Sequence, residues 1–208
     1  MIHAMRRFGL AVAVLGLMGL TDRAEAVPIT YTETATISGT LGATSFSNAL
    51  VTITGLADTN NVIGGGTFFN VPVVATVTVA GVGSGTLTDI VQVFSGINGN
   101  PEAGFVAKKL ASDPFFTILL DTRNAALTNY DLKSPIGPVT GAASISNPIG
   151  LKFGSTAGDF AITSVANGTS TFLATGGITA VPEPSTLTSA ALASLMGLGY
   201  AWRRRRAD

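Results

Sequence analysis

The chain has 208 residues, with twelve basic side chains balanced by twelve acidic ones, one histidine and no cysteine. That length holds one domain of ordinary size plus targeting segments. Without cysteine, neither a disulfide framework nor a thiolate metal site can form. The single histidine, His3, lies in a segment expected to be removed, which excludes Ser-His-Asp and Cys-His catalysis and His-ligated zinc from the rest.

Charge is spread unevenly. Residues 1–26 and 181–208 hold seven of the twelve basic residues, namely Arg6, Arg7, Arg23 and Arg203 to Arg206. Residues 27–180 hold five basic and eight acidic residues, a net charge of −3. A weakly acidic body lacks the clustered Lys and Arg on which nucleic-acid binding rests, so no nucleic-acid partner is expected.

Residues 1–26 read as a secretory signal peptide. Arg6 and Arg7 form the positive n-region, and Phe8 to Leu20 is an uncharged run of 13 residues. Ala24-Glu25-Ala26 is an A-x-A cleavage site, with Ala24 and Ala26 as the small residues read by signal peptidase, and it places the mature start at Val27.

Residues 27–180 change character, becoming rich in Thr, Gly, Val, Ala and Ser. Ile29 to Ile37 alternates strictly, with Ile29, Tyr31, Glu33, Ala35 and Ile37 on one face and threonines on the other. Period two with β-branched residues predicts a strand with one wetter face, and Glu33 on the apolar side suggests a place near a sheet edge. Further strands are predicted over Ala49–Thr54, Val73–Val79, Thr86–Phe94, Phe115–Leu120, Phe160–Val165 and Thr169–Thr175. Breakers lie between them, among them Gly64 to Gly66, Gly81 to Gly85, Asn98 to Pro101 and Ser134 to Pro138. Pro101 to Leu110 reads as a short helix or an ordered connection. Many short strands with frequent turns predict an all-β body, an antiparallel β-sandwich or jelly roll.

Candidate chemistry in the body is sparse. Asp58, Asn60 and Asn61 cluster oxygen ligands before a glycine loop, as calcium sites in β-loops do, but their spacing matches no EF-hand and such turns also form for local hydrogen-bonding reasons. Asp113 and Asp121 form a conceivable acid–base pair, with solvated surface charge as the plainer reading. Gly81-Val82-Gly83-Ser84-Gly85 lacks the lysine and following helix of a phosphate loop. Asn167-Gly168-Thr169 matches the short N-glycosylation pattern. Residues 27–180 contain no tryptophan and only two tyrosines, Tyr31 and Tyr130, few rings for a carbohydrate platform. No cofactor and no activity of its own are expected.

The last 28 residues have three parts. Val181 to Ser185 (VPEPS) is a stiff strip, because Pro182 and Pro184 fix two φ angles and bias their predecessors toward extended geometry. Residues 187–202 are uncharged and are expected to form a single transmembrane helix, whose span of about 24 Å is marginal alone for a bilayer crossing. Arg203, Arg204, Arg205 and Arg206 form a cytoplasmic stop by the positive-inside rule, leaving the body on the exported side, as the signal peptide independently requires.

Pro182-Glu183-Pro184, then a short apolar span, then an arginine cluster at the extreme end resembles a PEP-CTERM sorting signal. The resemblance covers 181–208. It implies recognition at Pro182, Glu183 and Pro184 by an exosortase, a membrane transpeptidase of Gram-negative bacteria, with the chain as substrate. The implied partners are secretion machinery, signal peptidase, exosortase, transiently the inner membrane, and an exopolysaccharide in a biofilm setting. The expected product is a surface or extracellular structural or adhesive domain. The alternatives are a polysaccharide-binding or carboxylate-dependent polysaccharide-processing module and a calcium-stabilised lectin-like domain.

Overall fold

The computed structural model describes residues 28–108, 116–145 and 151–176. Their regular elements are β-strands and three short 3-10 turns. In chain order the strands are β1 (Pro28–Leu41), β2 (Thr44–Asp58), β3 (Ile63–Gly65), β4 (Phe68–Val79), β5 (Gly83–Thr86), β6 (Ile90–Ser95), β7 (Glu102–Lys108), β8 (Thr117–Arg123), β9 (Ile136–Ser144), β10 (Lys152–Phe153) and β11 (Phe160–Gly176).

Every pairing is antiparallel. The sheet runs β1-β2-β4-β6-β7-β8-β9-β11, and β11 then pairs with β1 from Ile29↔Gly176 to Leu41↔Phe160. Eight strands therefore close into an up-and-down barrel, with β3 and β5 attached to β4 and β10 to β11. The all-β reading holds, whereas the sandwich or jelly-roll expectation gives way to a barrel. The physical reason is the length of the first and last strands, 14 and 17 residues. Each would expose a long unpaired edge in an open sheet, and pairing them removes both edges.

The same closure corrects the placement of Glu33. β1 is flanked on both sides, by β2 and β11, so it is not an edge strand, and Glu33 is fully buried. Inward residues such as Tyr31, Ile37, Ile53, Val77, Phe105, Leu120 and Phe172 fill the interior. Outward positions carry hydroxyls: Thr34 faces Thr52, Thr52 faces Thr78, and Thr34 also faces Thr171, which faces Thr140. Such cross-strand threonine pairs stabilise a solvent-facing pleat without charge.

The two rims differ. β1 begins and β2 and β11 end at one of them, which therefore carries both ends of the described chain. β6 and β8 also run toward this terminal rim, so the 3-10 turns Thr59–Asn61, Ile97–Gly99 and Ala125–Leu127 all lie there. The connection from β8 to β9 folds inward as a plug. It buries Leu127, Tyr130 and Leu132, sets the Tyr130 ring edge-on to Phe172 at 6.0 Å, and receives a hydrogen bond from Tyr31 Oη at the Leu132 carbonyl.

Candidate functional site

β8 carries the most unusual chemistry of the described residues. Its alternation sends Thr122 into the barrel and Asp121 and Arg123 outward, so two polar clusters sit back to back across one strand.

In the inner cluster, Thr122 Oγ1 lies 2.9 Å from Glu33 Oε1 on β1 and 2.7 Å from Ser170 Oγ on β11. Ser170 Oγ lies 2.9 Å from the Asp121 carbonyl oxygen. Around the wall, β9 and β11 separate β8 from β1, so the Thr122–Glu33 contact crosses the interior. Glu33 Oε2 is buried without a hydrogen-bond partner. Burial pushes the Glu33 carboxyl well above its ordinary range, and the nearby Asp121 adds to the rise, while the hydrogen bond with Thr122 and the nearby Ser170 hydroxyl oppose it.

In the outer cluster, Glu102 on β7 and Asp121 on β8 are both buried, and Arg123, 46% exposed, pairs with both. Arg123 Nε donates to Asp121 Oδ2 at 3.3 Å. It lies 2.8 Å from Glu102 Oε2, an ion pair without hydrogen-bond alignment. Asp121 is pushed up to about 7, first by burial, then by the neighbouring Glu102 carboxyl, with the Arg123 guanidinium opposing. Gly104, opposite Asp121, makes this fit possible: a Cβ there would lie 2.3 Å from the Leu120 carbonyl oxygen and 2.9 Å from Asp121 Cβ.

A shallow groove of about 510 Å³ opens on the outer face at the terminal rim. Pro28, Leu56, Ala57, Asp58, Asn61, Pro72, Val73 and Val74 line it, with Leu56 and Val74 strongly exposed. No aromatic ring lines it, and the Glu102–Asp121 pair does not reach it.

The sites read from sequence separate cleanly. Asp58 Oδ1 accepts the Asn60 N–H at 2.8 Å and so caps the 3-10 turn, the local role that Asx residues play at such turns. Among the described residues, no group of three or more His, Cys, Asp or Glu side chains gathers to hold a metal. Asp121 is not solvated surface charge; its partner is Glu102, and Asp113 lies outside the described residues. Gly81, between β4 and β5, and Gly83, the first residue of β5, take positive φ where the chain turns a hairpin. Asn167 and Gly168, at φ 59° and 58°, form a bulge inside β11. Ala24, Ala26, residues 187–202, Pro182, Glu183, Pro184 and Arg203 to Arg206 lie outside the described residues. Among the described residues, no helix is long and apolar enough to cross a membrane.

Sequence reasoning missed Glu33 and Glu102 as buried groups. The available signal was a carboxylate inside an otherwise apolar register, Ile29 to Ile37 for the first and the small and apolar run 103–107 for the second.

The closed antiparallel barrel ends at Gly176, ahead of the Val181 to Ser185 strip in the sequence. Residues 180–206 match the family model of the PEP-CTERM protein-sorting motif. The motif marks the chain for export, transient membrane anchoring and exosortase processing. No curated protein and no solved structure matches the chain.

Proposed function

We propose that the chain is a structural or adhesive cargo module, delivered outside the inner membrane by its sorting tail and acting as substrate rather than catalyst. The observation that carries this reading is the sorting motif over 180–206, placed directly behind a barrel that is complete at Gly176. Two features of the barrel support a non-catalytic role. Its convergent carboxylates are buried and paired with an arginine instead of lining the groove, and its outer wall presents threonine hydroxyls. Pro182, Glu183 and Pro184 are the recognition strip, Arg203 to Arg206 hold the tail on the cytoplasmic side, and the leader is cut after Ala26. The surface to which the module is delivered is that of a Gram-negative cell in an exopolysaccharide matrix.

Intact-mass measurement of the protein from its native host tests this. The expected mature form begins at Val27 and lacks the segment after the Pro-Glu-Pro strip. Replacing Pro182, Glu183 and Pro184 with alanine leaves the precursor in the inner membrane. An abundant mature form that retains Arg203 to Arg206 overturns the reading.

A further inference from the structure

Three close contacts run through the barrel interior: Glu33 Oε1 to Thr122 Oγ1, Thr122 Oγ1 to Ser170 Oγ, and Ser170 Oγ to the Asp121 carbonyl. Each contact needs one hydrogen between its two oxygens. A threonine and a serine hydroxyl supply one hydrogen each, and a backbone carbonyl supplies none. With Glu33 ionised, two hydrogens must serve three contacts, and one pair of buried oxygens faces each other bare. With Glu33 protonated, its O–H donates to Thr122, Thr122 donates to Ser170, and Ser170 donates to the Asp121 carbonyl. Every contact is then filled, and all donors point in one direction along the chain.

We propose that the folded barrel holds a proton on Glu33, and that this proton is a pH-sensitive lock tying β1, β8 and β11 together across the interior. The other charged groups near the chain favour the neutral form or are too remote to reverse it. Asp121 adds negative charge on the far side of β8, and Glu102 lies beside Asp121. The guanidinium of Arg123 is committed to those two carboxylates on the outer face. Flanking positions in register with Glu33 are Ile53 and Phe172, both apolar and buried. No cation among the described residues contacts Glu33, so ionisation inside the barrel would be uncompensated.

The sign of the pH effect follows from the proton being held by the folded state. Below the ordinary glutamate value of 4.5, folded and unfolded chains both carry it, and the lock is at full strength. As pH rises above that value the unfolded chain releases its proton while the barrel keeps one, so stability declines until the folded group also ionises. Over that window one retained proton raises the unfolding equilibrium constant by up to about tenfold per pH unit. Glutamine has the shape of the neutral acid and cannot ionise. Exported domains meet the pH of the medium, so the lock makes this barrel tightest in acid and looser as its surroundings turn alkaline.

The test uses the full chain in two measurements. Infrared difference spectra of wild type against Glu33→Gln, taken at about pH 8 where ordinary carboxyls are ionised, should show the carbonyl stretch of one protonated carboxylic acid, present only in wild type. Denaturant unfolding should give the two proteins similar stability near pH 4. By about pH 8 the Glu33→Gln chain should be the more stable, with its unfolding constant at least about tenfold smaller. Absence of the acid band from wild type, or equal pH dependence of the two proteins, overturns the proposal. Absence of any acid band from wild type is decisive even if the variant folds poorly.

Discussion

At the scale of single residues, the outer cluster shows how a strand tolerates two buried carboxylates. Glu102 and Asp121 are buried side by side, and burial together with the Glu102 carboxyl pushes Asp121 up to about 7. Arg123 is the cation that compensates them, and its guanidinium holds the Asp121 value below where burial and Glu102 alone would put it. Replacing Arg123 with methionine keeps the packing of the stem and removes the charge. At about pH 8 this should destabilise the barrel by about 3 kcal/mol, the scale for stripping one partner from a buried pair. At about pH 4 the loss should shrink, because Asp121 is then neutral in the folded state. Thermal melts at the two pH values check this. A loss of equal size at both would mean that Arg123 acts by packing and not by charge.

At the scale of elements, pattern strength decided what could be read. Ile29 to Ile37 alternates without a break, and β1 appears there, extended to Leu41. Val73 to Val79 and Ala49 to Thr54 are likewise contained in β4 and β2. The expected strand over Thr86–Phe94 is divided between β5 and β6, because Leu87 leaves the ladder to bridge Ser155. The two expected strands at Phe160–Val165 and Thr169–Thr175 are one, β11. Asn167 and Gly168 form a bulge in it, and pairing with β1 jumps from Ile37↔Val165 to Ala35↔Ser170. Turn residues inside a strand signal either an end or a bulge, and only the partner strand distinguishes them. β9 was hidden for a similar reason, by the Ser134 to Pro138 breakers at its start.

β7 departs furthest from the sequence reading, being a strand where a short helix or connection was expected. Its residues Glu102 to Ala107 are buried on both faces, so they lack the alternation that marks a half-exposed strand. Gly104 is the reason that β7 and β8 approach closely with two carboxylates beside them. Gly104→Ala places a methyl group against the β8 backbone, where no flexible side chain can yield. The expected loss is about 2 to 3 kcal/mol, the upper part of the overpacking range. Chemical denaturation measures it, and a loss below about 1 kcal/mol would show that β7 and β8 separate easily. The Glu102–Asp121 pair was illegible for the same reason, since its members lie 19 positions apart and meet only through this strand pairing.

At the scale of the whole barrel, the decisive contact joins the ends of the described chain. Ile29 pairs with Gly176, so the last strand must arrive before the first gains its second neighbour. Closing a loop of that length carries an entropic penalty that is recovered only when the whole seam forms, so slow and cooperative folding is the expected outcome. The interior polar chain has the same dependence, because Ser170 comes from β11 while Glu33 and Thr122 come from β1 and β8. A chain ending at Asp159 retains seven wall strands yet lacks β11 altogether. It leaves β1 and β9 as open edges and deprives Thr122 of its Ser170 partner. Such a chain should stay sensitive to protease under conditions where the full chain resists digestion. Protease resistance in the truncated chain would mean that seven strands fold without closure and that the barrel is not one cooperative unit. Because β11 is the last of the wall strands, a secreted chain cannot complete its barrel until nearly all of the cargo has emerged, and the sorting motif begins four residues after that strand ends.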